Sequence, residues 1–194
     1  METAGLQKNN RIHPHKFNLW LAIGSIIMMF AGLTSAYIVK RNQAGWTPYD
    51  LSSALWLSTT VILLSSLTVY LAKKSFKERN MKKYRHLLLV TLVLGVLFMI
   101  TQLFVFKPFW GNEDWATTWG KISGNVSSSF LFVLIMLHAV HVLGGVFALG
   151  VTLIRSYSSK TKNYSILPVE LVSTYWHFVD ILWIYLLLFL IMIR

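Results

Sequence analysis

Cysteine is absent from the 194 residues, so no disulfide, thiolate metal site or cysteine nucleophile is available, and cysteine usage says nothing of the redox compartment. Acid is scarce: seven Asp and Glu stand against 18 Lys and Arg. Charged residues make up 13% of the chain, against about 25% in a soluble domain, and 55% of residues are hydrophobic. Proline is confined to Pro14, Pro48, Pro108 and Pro168, each beside an apolar run rather than inside one. The sequence has no Gly-x-Ser-x-Gly turn, phosphate loop or dinucleotide fingerprint. It also has no internal repeat and no low-complexity stretch, and repeats with broken helices are the usual mark of a transporter.

What is present is a set of long apolar runs. Five of them, at 17–39, 54–72, 87–106, 129–154 and 172–193, are near the roughly 20 residues that cross a bilayer. All are expected to be helices, because lipid offers backbone groups no other partner. The first run exceeds the about 7–15 residues of a signal-peptide core, so it reads as a retained anchor. The reading is an all-α membrane protein, a single five-helix domain over 1–194.

Thirteen of the 18 Lys and Arg fall on one side of these spans, in the N-terminal segment and in the segments after spans two and four. That asymmetry puts the N-terminus in the cytoplasm and the C-terminus outside. The segments on the other side hold Trp46, Trp110, Trp115 and Trp119, as interfacial aromatics do. The net charge of +11 therefore points to anionic lipid rather than nucleic acid. The densest basic stretch, read as a loop, carries Lys73, Lys74, Lys77, Arg79, Lys82, Lys83 and Arg85, an anionic-lipid surface.

Polar residues inside the spans are the candidates for function. Glu170, Ser173, Thr174, His177 and Asp180 share about one third of the last helix's circumference. A carboxyl near mid-membrane is costly, so this face must meet protein. In span four, His138, His141, Gly145 and Ala148 form one stripe, with Gly144 beside it. His141 and Asp180 lie at matching depth in antiparallel spans, so an imidazole–carboxylate pair is expected. Three histidines and two carboxyls could also suit a metal or a haem, but His-x-x-His is one helical face and a weak signal. The favoured reading is a hydrogen-bonded network without metal, formed by His138, His141, Glu170, Thr174, His177 and Asp180. Gln102 of span three is expected to hydrogen-bond across helices. Gly32 and Ala36, with Gly95, Gly144 and Gly145, should let helices approach closely. The Ser and Thr residues of span two can bond to their own helix and carry no functional reading by themselves.

Tyr175-Trp176-His177-Phe178-Val179-Asp180-Ile181-Leu182-Trp183 resembles the signature of the last helix of subunit III of haem-copper oxidases. Leu137-His138-Ala139-Val140-His141-Val142-Leu143-Gly144-Gly145 is similar to the histidine–glycine segment of its preceding helix. The hydroxyl-rich second span, the basic stretch and Leu94-Gly95-Val96 with Phe98 and Gln102 resemble the middle of that family. The likeness covers residues 15–194 and the short, five-span form. It implies a non-catalytic subunit without haem or copper of its own, beside a catalytic subunit I that carries both. The complex would be a proton-pumping cytochrome c oxidase of a bacterial-type cytoplasmic membrane. Bound phospholipid, and support for assembly and proton uptake, are implied as well. The subunit III of a quinol oxidase and the related protein accompanying nitric oxide reductase fit the same motifs. A free-standing transporter is the reading outside the family.

The sequence departs from the family at three places. Ile26 stands where many members carry a membrane-buried glutamate, Lys73-Lys74 replace a frequent histidine pair, and Leu103-Phe104-Val105-Phe106 replace an acidic, tyrosine-containing stretch. Roles attached to those family residues do not transfer.

Overall fold

The computed structural model describes residues 14–41, 54–110, 126–157 and 166–193. These form five α-helices and nothing else regular: α1 (Pro14–Arg41), α2 (Ala54–Lys77), α3 (Met81–Trp110), α4 (Val126–Tyr157) and α5 (Leu167–Ile193). Each is long and apolar enough to cross a membrane. Trp46, Pro48, Trp115 and Trp119 lie outside the described residues, as does the side chain of Trp110.

The helices outrun the hydrophobic runs at nearly every end. Hydropathy marks where lipid stops, whereas the hydrogen-bond ladder continues into the polar interface. The prolines show this directly. Pro14 and Pro168 sit in first turns, where a missing N–H costs nothing. Pro108 lies inside α3 rather than beside it, close enough to its end that little of the ladder is lost.

The basic stretch 73–85 is correspondingly not a loop but a tight helical hairpin. Lys73, Lys74 and Lys77 belong to the last turns of α2, and Lys82, Lys83 and Arg85 to the first turns of α3. The turn closes with Arg79 N–H donating to the Phe76 carbonyl (3.0 Å) and Asn80 N–H to the Ser75 carbonyl (3.0 Å), a Schellman pair. Arg79 takes φ 58°, the left-handed conformation that glycine usually supplies there. Asn80 then caps α3, its Oδ1 accepting from Lys83 N–H at 3.3 Å.

α2, α3, α4 and α5 form a ring in which each helix packs on its two neighbours, and α1 lies outside against α4 and α5. The main core lies inside the ring and includes Leu55, Ile62, Phe98, Val142, Leu149, Trp176 and Trp183. A second core, of Phe30, Tyr37, Leu134, Leu182 and Leu186, glues α1 to the ring. Ile26 packs against this second core. The start of α1, the α2–α3 hairpin, the end of α4 and the start of α5 lie together, joined by Lys16–Glu170 and by Arg85–Ser156, and constitute the basic end of the bundle.

Candidate functional site: the docking face of the last helix

α5 packs against α1, α2 and α4, and most of its anchors are aromatic. Trp176, 1% exposed, lies at the centre. Its Nε1–H donates to Ser65 Oγ of α2 at 2.7 Å. Its ring fills the space left by two glycines. A Cβ on Gly95 of α3 would come within 2.7 Å of Trp176 Cη2, and one on Gly145 of α4 within 2.9 Å of Cε3 and Cζ3. One indole thus touches three helices, and the two glycines exist to admit it. Two turns further along, Trp183 Nε1–H donates to Thr59 Oγ1 of α2 at 3.1 Å. Between them His177 Nδ1 and Ser66 Oγ share a hydrogen bond of 2.8 Å.

Toward α4, the Tyr175 hydroxyl donates to the His141 carbonyl at 3.0 Å. Toward α1, Tyr185 and Thr34 share a hydroxyl–hydroxyl bond of 3.0 Å, and Tyr37 packs edge-on against Phe189 at 5.4 Å. At the basic end, Glu170 pairs with Lys16 at 2.7 Å, with Lys73 and Lys77 in the same electrostatic neighbourhood. Glu170 also sits in the first turn of α5, where the helix dipole favours an acid.

The expected imidazole–carboxylate pair does not form. His141 Nδ1–H donates to the Leu137 carbonyl of its own helix at 2.6 Å, and its ring packs edge-on against Phe30 of α1. His138, three residues earlier, points elsewhere, into the core against Phe98 and Trp183. Three residues rotate a helix by about 300°, which separates the two rings by about 60° and suffices to send them to different neighbours. Asp180 is 3% exposed, and neither carboxyl oxygen has a hydrogen-bond partner among the described residues. Ser66 is the polar group that bears on it, but that hydroxyl is engaged with His177. Thr174 stays half-buried on the rim of the face. Among the described residues no three His, Asp or Glu side chains are grouped as metal ligands would be.

Two further expectations are redrawn. Gln102 is buried, yet neither its Oε1 nor its Nε2 finds a partner across helices. At Gly32 a Cβ would meet nothing within 4 Å, so none of the described helices approaches there. α1 turns Ile23, Phe30, Thr34 and Tyr37 inward instead. Gly144 makes only ordinary contact with the Tyr175 hydroxyl. In the basic stretch, Arg85 differs from its neighbours. Its Nη2 donates to the Ser156 carbonyl in the last turn of α4, and its guanidinium lies 4.8 Å over the Tyr157 ring. Lys74, Arg79, Lys82 and Lys83 are exposed.

The α2 hydroxyls are the functional residues that sequence reasoning passed over. A signal was present. The hydroxyls Thr59, Ser65 and Ser66 fall within one stretch of span two, and Trp176, His177 and Trp183, which need hydrogen-bond partners when buried, fall within one stretch of span five. Because α5 runs antiparallel to α2, Trp183 then meets Thr59, and Trp176 and His177 meet Ser65 and Ser66.

The fold and this face define an integral membrane protein of five helices, with its last helix docked by aromatic side chains into a ring of three others. The family model described as "Cytochrome c oxidase subunit III" matches residues 16–193. A probable cytochrome c oxidase subunit 3 of Nocardia farcinica is 30% identical, over 94% of this chain and 92% of its own length. One of Mycobacterium tuberculosis (strain ATCC 25618 / H37Rv) is 27% identical over 99% and 97%. The cytochrome c oxidase subunit 3 of Bacillus subtilis is 26% identical over 86% and 80%. The chain belongs to the cytochrome c oxidase subunit III family.

Proposed function

We propose that the chain is a non-catalytic subunit III of a proton-pumping cytochrome c oxidase. It sits beside the subunit that holds haem and copper, and it supports assembly and proton uptake there. The carrying observation is the α5 face. Its polar and aromatic groups are spent on holding helices together, with Trp176 seated between Gly95 and Gly145 and bonded to Ser65. Groups used in this way favour a scaffolding role.

The single five-helix domain lies in a bacterial-type cytoplasmic membrane, with its basic end in the cytoplasm. That end binds anionic phospholipid. Exposed Lys74, Arg79, Lys82 and Lys83 supply the surface, and Lys16, Lys73 and Lys77 gather around Glu170 beside it. The internal network of the proposed scaffold is His177 with Ser66, Asp180 beside that hydroxyl, and the separate Glu170–Lys16 pair, with His138 and His141 serving other contacts.

The test compares the oxidase complex purified with and without this chain. With it, oxygen consumption driven by reduced cytochrome c should be sustained through repeated turnover. Without it, activity should start and then decay. Equal persistence in both preparations contradicts the proposed role.

A further inference from the structure

We infer that Gln102 and His138 together hold internal water at the centre of the helix ring, in the half away from the basic end. His138 is 0% and Gln102 3% exposed, and all four of their side-chain polar atoms lack a hydrogen-bond partner among the described residues. They are the only side chains on α3 and α4 with both polar atoms so placed, among the described residues.

Their placement brings them to one site. The His138 ring lies 6.0 Å from that of Phe98, and Phe98 and Gln102 are one turn apart on the same face of α3. α3 and α4 pack against each other as antiparallel neighbours. Phe98 is thus the shared neighbour of the imidazole and of the Gln102 position.

The chemistry selects water. A neutral imidazole offers one donor and one acceptor, and an amide offers an acceptor oxygen and a donor NH2. A water molecule, with two of each, complements either side. Phe98 and Trp183 flank the imidazole, Trp183 with ring centroids at 5.1 Å, and supply no competing partner, since the Trp183 N–H is committed to Thr59. Immobilising a water costs less than leaving two such groups desolvated and unpaired. The two ring nitrogens open in different directions, so more than one water is needed to satisfy His138.

A cryo-electron-microscopy map of the intact membrane complex, at a resolution that shows ordered water, tests this. The expected result is density at about 2.7–3.2 Å from a Gln102 amide atom and from a His138 ring nitrogen. A direct Gln102–His138 hydrogen bond, or no density between them, overturns the inference. A double-substitution cycle gives a second reading that does not need the map. Gln102→Leu and His138→Phe should each shorten the time the subunit stays in the detergent-extracted complex. The double variant should recover on the order of fivefold relative to the product of the singles, because each single strands the other's water. Independent, multiplicative effects would overturn the water-mediated coupling.

Discussion

Trp176 places one rigid ring against three helices, and the consequences are specific to single atoms. Gly145→Ala or Gly95→Ala would drive a methyl into an indole that has no flexible end to yield. We expect a loss of about 1–3 kcal/mol, read as a fall in thermal stability of the detergent-solubilised complex. Gly32→Ala, which meets nothing among the described residues, should change the chain's own stability by less than about 0.5 kcal/mol and serves as the control. Asp180 gives a contrasting expectation. Its carboxyl oxygens have no hydrogen-bond partner among the described residues beyond the neighbouring Ser66 hydroxyl, which is engaged with His177, so Asp180→Asn should cost less than about 1 kcal/mol in the same measurement. A larger loss would mean that a partner outside this chain reaches the carboxyl. Glu170, His177 and Asp180 were legible in sequence as a face that must meet protein. Their partners were not, because periodicity places residues on a face without saying which neighbouring helix turns toward it. His141 illustrates the limit: depth matched it to Asp180, but rotation about the helix axis sent its ring to Phe30.

At the scale of elements, the α2–α3 hairpin carries the clearest local anomaly. Arg79 occupies the left-handed position of a Schellman turn without being glycine. Arg79→Gly should relieve backbone strain of about 1 kcal/mol and raise thermal stability without moving either helix. A fall in stability would show that the arginine side chain contributes more than the strain costs. The hairpin also explains why a basic run read as a loop proved helical. Lysine and arginine are good helix formers, and charge marks the membrane boundary rather than the helix boundary. Asn80 is a residue type that favours caps, but without glycine at 79 the turn before it carries no mark in the sequence. The Lys16–Glu170 pair belongs to the same scale. Its side chains are 44% and 25% exposed, so it contributes little stability and locates the start of α1 against α5.

For the whole molecule, five spans and an all-helical fold follow from hydrophobic run length alone, since lipid permits helices and little else. The arrangement of the ring, with α1 outside it, was not legible. All five helices are apolar on nearly every side, so hydropathy cannot tell lipid-facing from helix-facing surface; small residues mark a helix contact only where a side chain fills them, as at Gly95 and Gly145 but not at Gly32. The basic end bears the proposed lipid surface, and the prediction follows charge. Replacing Lys74, Lys82 and Lys83 with Gln should lower the anionic phospholipid that co-purifies with the complex, measured by lipid mass spectrometry. Arg85→Gln should instead loosen the end of α4, because that guanidinium is already engaged with Ser156 and Tyr157.

Membership of an oxidase complex is the central claim. The most direct measurement is a mild-detergent pull-down of the tagged chain with a reduced-minus-oxidised spectrum of what accompanies it. The account predicts a large partner carrying a-type haem, and oxidation of reduced cytochrome c by the captured material. A chain recovered alone and without haem, catalysing solute flux in liposomes, would contradict it.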